Sequence, residues 1–199
     1  MSEAKANFDA IYSSHAWGSP PSDGGPAIYS GPGADASRCS QYLAYVQDLI
    51  DRPDVSTVTE IGCGDLRLTG QLDLSDVSYE CFDVASQVRS HAPLGIRVRE
   101  VDAASHDFDG ADLLLVKDVF QHWPTEKVRH FEETQLPKFK HAVVTNDYGG
   151  DEDKPRDVAF GGYAGTSLRG NRDVVLRNVC ADHTKQTQHF FPQVSSTGI

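Results

Sequence analysis

Basic residues are scarce in this chain: 18 Lys and Arg stand against 29 Asp and Glu among 199 residues, a formal net charge of −11. Binding a phosphate backbone requires clustered positive charge, so nucleic acid is not an expected partner. Cysteine is sparse as well. Cys39, Cys63, Cys81 and Cys180 are scattered, with no Cys-x-x-Cys pair, a pattern that fits reduced thiols better than a disulfide scaffold or a zinc site. No apolar run approaches the ~18 residues of a membrane helix, and Met-Ser-Glu-Ala-Lys-Ala-Asn-Phe-Asp at the start lacks the apolar core of a signal peptide. A soluble, cytoplasmic protein without a membrane partner is expected, with a small-molecule substrate. Oligomeric state has no signature here, and no internal repeat is visible.

What is present suits one globular domain: 39 % hydrophobic and 24 % charged residues. Phe8-Asp9-Ala10-Ile11-Tyr12 has helical spacing, whereas Gly, Pro and Ser dominate 18–33 and favour loop. Apolar residues at 42, 43, 46, 49 and 50 mark a helix over 40–50 that Asp51-Arg52-Pro53 ends. Strand-like runs follow at 57–61, 78–84, 96–101, 111–117 and 141–145, alternating with stretches long enough for crossover helices, the clearest being 125–136. Ala111-Asp112-Leu113-Leu114-Leu115-Val116 does not alternate apolar with polar, which indicates burial on both faces of a parallel sheet. The runs at 173–180 and 187–191 complete seven strands. The expected fold is a doubly wound, Rossmann-like α/β domain, mostly parallel, with an antiparallel C-terminal strand.

Val58-Thr59-Glu60-Ile61-Gly62-Cys63-Gly64-Asp65 reads as a buried strand that ends on a carboxylate and breaks into a glycine turn, followed by a helix with free N–H groups. Glu60, Gly62 and Gly64 resemble motif I of class I S-adenosylmethionine (SAM) dependent methyltransferases. An acid is then expected about 20 residues on, at the end of strand two, to bond ribose hydroxyls. Asp83 stands there, followed by Val84. The family resemblance assigns Asp102 and Ala103, after strand three, to the adenine. A nicotinamide dinucleotide fits less well, because the third glycine of its fingerprint is replaced by Arg67. Leu66 also stands where the methyltransferase motif often has a glycine.

Phe8 to Tyr12, Trp17-Gly18 and Ser30-Gly31-Pro32-Gly33 look like the leader of a group of small class I methyltransferases. The resemblance implies two units: a leader over 1–38 that lies across the cofactor, and a SAM-binding domain over 39–199. Trp17 and Arg38 are then candidates for the methionine end, a plain packing arm being the other reading of the leader. Cys63 and Lys117 complete the candidate cofactor contacts.

Candidate groups for chemistry lie after strands four and five. Lys117-Asp118-Val119-Phe120-Gln121-His122 resembles the Asp-x-x-x-His turn of small-molecule methyltransferases, with Asp118 and His122 spaced to share one face of a helical turn. Histidine is a natural general base; packing is the alternative for His122, and backbone bonding for Asp118. Thr145-Asn146-Asp147 adds an acid that, with Asp118, is similar to the metal site of catechol-type enzymes, although Asn and Asp are in inverted order and Lys117 is a poor neighbour for a cation. No metal is therefore assigned. Phe160-Gly161-Gly162-Tyr163 is either a substrate lid or a disordered connection. The sequence predicts methyl transfer from SAM, with S-adenosylhomocysteine as product, to oxygen or nitrogen of a small molecule. A non-catalytic SAM- or nucleotide-binding module is the alternative.

Overall fold

The computed structural model describes residues 1–20, 27–93, 95–148, 157–169, 172–177 and 185–191. Cys180, His183 and the acidic run 151–153 lie outside them. Helix α1 (Glu3–Ser13) starts where the Ser2 hydroxyl accepts the Lys5 N–H, and buries Ala4, Phe8 and Tyr12 as one stripe four residues apart. Helix α2 (Ser40–Ile50) buries Tyr42, Val46, Leu49 and Ile50. Strands β1 (Thr57–Ile61) and β2 (Ser78–Asp83) precede a short α3 (Ser86–Ser90). Then come β3 (Val98–Glu100), β4 (Leu113–Lys117), α4 (Thr125–Thr134), β5 (His141–Asp147), β6 (Arg172–Arg177) and β7 (Lys185–Phe190).

The seven strands form one sheet in the order β3-β2-β1-β4-β5-β7-β6. Neighbours from β3 to β5 pair in parallel, and β7 runs antiparallel to both β5 and β6. Chain direction reverses its spread between β1 and β4, which creates a crevice at their carboxyl ends. Period-two side-chain direction gives each strand two faces. Val58, Leu113, Leu115 and Val143 pack with α2; Leu114, Val116, Ala142 and Val144 pack on the other side with Val128 and Phe131 of α4. The apolar run at 113–116 is thus buried from both sides, as its lack of alternation implies.

Two expectations change. β5 continues to Asp147, so Asn146 and Asp147 are rungs of the sheet opposite Gln186 and Lys185 and are not loop residues. The glycine turn leads into no α-helix: only a 3-10 turn, Thr69–Gln71, lies between β1 and β2. Leu66 at φ +61° breaks helical continuation, and the Asp65 carboxylate takes the Arg67 N–H in a local turn. A helix-terminus anion site is therefore absent here.

Candidate functional site

The crevice between β1 and β4 opens into a cavity of about 280 Å³, close to the lower end of the ~300–1,000 Å³ usual for ligand pockets. Glu60, Gly62, Cys63, Gly64, Asp83, Val84, Asp102, Ala103 and Lys117 line it, together with Trp17, Asp118, His122 and Asp147. Residues distant in sequence thus meet because the parallel strands all end at this edge. Arg38 is the exception. It is not among the lining residues; its side chain lies beside Asp35, three residues back and 3.7 Å away, in a 3-10 turn before α2.

Gly62 and Gly64 both have positive φ, +69° and +56°, which favours glycine. What crowds them is protein. A Cβ at Gly62 would meet Val119 Cγ2 at 2.3 Å, and one at Gly64 would meet Ser30 Oγ at 2.5 Å. The glycines are required first by the turn's conformation and by close packing, rather than by ligand approach alone. The Asp83 carboxylate holds the turn: Oδ2 accepts the Gly64 N–H at 3.0 Å and Oδ1 the Ala85 N–H at 2.9 Å. Burial raises its pKa to about 6 against the pull of these backbone bonds. The Val84 N–H is drawn to the carboxylate as well, and three donors on about four acceptor sites leave capacity for a hydroxyl donor. Asp102 accepts the Ala104 N–H, and Glu60 is tied to the Thr69 and Tyr79 hydroxyls. Burial pushes the Glu60 carboxyl up. The Cys63 thiol is also raised, by its hydrogen bond with the free Cys81 thiol and by burial, so it is a packing group rather than a thiolate.

Residues before α2 contact this turn. Ser30 donates its N–H to Asp65 Oδ2 at 2.9 Å and accepts the Asp65 N–H on Oγ at 2.7 Å. Tyr12 OH lies 2.9 Å from Ser30 Oγ. Lys117 Nζ reaches the Gly33 carbonyl at 2.7 Å, and Trp17 packs against His122 with ring centroids 5.4 Å apart.

Beyond Lys117 the chain turns sharply. Asp118 has φ +59°, a strained value outside glycine, and Phe120–His122 is a 3-10 turn. Asp118 and His122 therefore reach the cavity separately and not as neighbours on one α-helical face. His122 Nδ1 lies 2.6 Å from the Gly162 carbonyl, which can only accept. Nδ1 thus carries the proton and Nε2 the lone pair, which faces the Gln121 amide nitrogen at a long 3.5 Å. Burial lowers the pKa of the ring below its ordinary value, partly opposed by the Gly162 bond, so it is neutral near pH 7.

Lys185, which had not stood out in the sequence, is the centre of this half of the site. Its Nζ donates to Asp118 Oδ1 at 2.6 Å and to Asp147 Oδ1 at 2.7 Å, with only 3 % of the side chain exposed. Burial alone would lower its pKa, yet the two carboxylates hold it above the ordinary value. Burial likewise acts to raise Asp118, and the ammonium groups of Lys117 and Lys185 overcome it and lower the carboxyl. Tyr163 donates to Asp147 Oδ2 at 2.8 Å, and Gln121 Oε1 accepts the Asp147 N–H at 2.7 Å. A lysine that opens a polar run, Lys-Gln-Thr-Gln-His, carries no signal of burial; its partners are supplied by β4 and β5. The described part of the glycine-rich loop is tied down, with Gly161 N–H on the His122 carbonyl and Asn7 on that of Phe160.

No protein-family model matches the sequence, and no curated protein is similar to it. Solved structures share the fold. Magnesium protoporphyrin IX methyltransferase (ChlM) from Synechocystis PCC 6803, with bound SAM, superposes with a TM-score of 0.60 at 11 % identity, covering 95 % of this chain and 97 % of that one. The N-terminal domain of EvdMO1, with S-adenosylhomocysteine bound, gives 0.56 at 10 % identity over 83 % and 82 % of the two chains. At such identities the likeness is one of architecture: this chain has the class I methyltransferase fold.

Proposed function

We propose that the chain is a SAM-dependent methyltransferase acting on oxygen or nitrogen of a small molecule, with residues 1–38 as a lid on the cofactor and 39–199 as the binding domain. The observation that carries the reading is the meeting of two acids around one cavity: Asp83, locked onto the Gly64 N–H at the end of β2, and Asp102, two residues past the neighbouring β3. Their chemistry suits the cofactor. Asp83 can accept ribose hydroxyls, and Asp102 with Ala103 can meet the adenine edge. Trp17 and Lys117 are assigned to the methionine end, with Glu60, Cys63 and Val84 forming the walls. When bound, SAM would supply a methyl group on a sulfonium, whose carbon–sulfur electron pair stays with sulfur on transfer and leaves S-adenosylhomocysteine. The protein's part is to align the acceptor and take its proton. His122 Nε2 is the base, and Asp118 and Asp147 position the acceptor. The acidic charge makes a nucleic-acid acceptor the weaker choice. No helix among the described residues is long and apolar enough to cross a membrane; a cytoplasmic location is part of the same proposal.

Calorimetry with SAM, followed by incubation with labelled SAM and a metabolite panel, tests the reading. Binding in the micromolar range and release of S-adenosylhomocysteine with an acceptor are expected. Binding without turnover across the panel would favour a non-catalytic SAM-binding module. No binding at millimolar SAM would remove both.

A further inference from the structure

Asp118, in the turn just past β4, and Asp147, at the end of the adjacent parallel β5, aim one oxygen each at a single point, where Lys185 Nζ sits 2.6 and 2.7 Å away. Two hard oxygens converging this closely resemble part of the ligand set of a divalent cation, whose metal–oxygen distances are ~2.0–2.6 Å. The ammonium is held from the neighbouring strand, since Lys185 is the first residue of β7 and stands opposite Asp147 in the antiparallel register. It fills the position completely enough to leave only 3 % of its side chain exposed. An ammonium has three hydrogens. Two are directed to the carboxylates, and Lys185 also lines the cavity, so the third is available to a ligand there. Lys117 contributes a second ammonium to the other Asp118 oxygen.

We propose that the Lys185 ammonium is a built-in replacement for a divalent cation, seated between Asp118 and Asp147 and offering its remaining hydrogen to an oxygen of the methyl acceptor. The seat itself follows from the geometry; the contact with the acceptor rests on the methyltransferase reading. A consequence for substrate class follows. A metal ion can chelate two vicinal oxygens, whereas one remaining N–H holds a single oxygen. The acceptor is then a single hydroxyl or phenol rather than a catechol-type pair. The positive charge beside that oxygen favours its anionic form as His122 takes the proton, and it disfavours the positive charge that methylation builds on a neutral amine. Oxygen is thereby selected over nitrogen.

The seat can be tested with Mn²⁺ as the probe, read by the loss of its free-ion electron paramagnetic resonance signal. Lys185→Ala should leave two facing carboxylates and bind Mn²⁺ at least ten-fold more tightly than wild type. The gain should vanish in the double variant Lys185→Ala/Asp147→Asn. A folded Lys185→Ala protein that binds no better than wild type overturns the proposal. If circular dichroism shows that Lys185→Ala is unfolded, Lys185→Ser replaces it. Should neither fold, wild type is compared with Asp147→Asn: equal Mn²⁺ binding supports an already filled seat, and tighter binding by wild type overturns it. SAM calorimetry on the same wild-type sample separates the two readings. Failure to bind SAM removes the acceptor contact and the methyltransferase function, while the Mn²⁺ result still decides the seat. With SAM bound, a panel pairing each phenol with its catechol should show turnover of the single phenols in the presence of chelator. Turnover of catechols alone, or only with added metal, would sink the acceptor contact.

Discussion

The two ends of the sheet bury polar groups in opposite ways. At the amino ends of the strands, Asp112 accepts the N–H and hydroxyl groups of both Ser56 and Thr57, all between 2.8 and 3.0 Å, and pairs with Lys140. Nearby, Tyr45, His189, His141 and Asp54 form a chain of polar contacts from 2.6 to 3.5 Å. These clusters close on themselves and line no part of the cavity. At the carboxyl ends, the backbone is strained at Leu66 and Asp118. There Asp83, His122 and Lys185 line the cavity, and Asp83 and Lys185 have acceptor or donor capacity beyond their partners in the protein. Polar groups that satisfy one another completely secure the strands; polar groups left with spare capacity at a strained edge are suited to a ligand. The same residue types thus serve stability at one end and the proposed chemistry at the other.

Four measurements can break or sharpen this contrast. The largest effect is expected at the carboxyl end: His122→Ala should lose about 10²–10⁴-fold in turnover while keeping its SAM affinity. Stopped-time assays and calorimetry on the folded variant check this, and retained turnover would reject the base. The wild-type rate should be flat around pH 7 and decline only below about pH 6.5, because the buried imidazole resists protonation.

Next in size is the acid response of the opposite end. Burial, then repulsion from His141 and Arg52, lowers the His189 pKa to about 4. A depressed pKa leaves stability intact above the unfolded value of about 6.5. Stability is lost as pH falls from there toward about 4, because the unfolded chain binds the proton more readily. A loss of about 2–3 kcal/mol across that window is expected from urea unfolding. His189→Gln should flatten it. An unchanged slope in that variant would place the acid sensitivity elsewhere.

Asp112→Ala is expected to cost about 2 kcal/mol of stability, by removing a charged acceptor from buried N–H and hydroxyl groups. SAM affinity in the surviving folded protein should be unaltered. A matched loss of affinity would show that the two ends are coupled.

The smallest effect concerns Asp83. Its buried carboxyl, raised to about 6, must be ionised to accept ribose hydroxyls. SAM affinity should therefore fall as pH drops below about 6, by about ten-fold per unit at the limit. Asp83→Asn should abolish that dependence. A wild-type affinity that is constant between pH 5 and 7 would remove Asp83 from the binding site.

Legibility in the sequence followed the range of the interactions. Strand β1 and helix α2 occupy the expected residues 57–61 and 40–50, because local periodicity and a nearby stop signal define them. Asp83 was expected at a strand end from its spacing after the glycine turn, and Asp102 from the family resemblance; Asp83 does end β2, and both line the cavity. The missing helix after Gly64 was not legible, since one residue, Leu66 at positive φ, redirects a segment of suitable length. Arg38 was a candidate from its place in the leader, but its side chain lies beside Asp35 and outside the cavity.

The sequence by itself determined the strands' apolar faces, the acids at their ends and the glycine turn between β1 and β2, all consequences of short-range geometry and hydrophobic period. Only tertiary structure decided what the polar C-terminal strand would do. Reading Lys-Gln-Thr-Gln-His as buried requires the neighbours of β7, and those neighbours lie across the sheet in β5 and β6. The carboxylates that make a buried Lys185 tolerable are 67 and 38 residues away in the chain. A charge can be taken out of water only where partners wait for it, and pairing across the sheet placed those partners there.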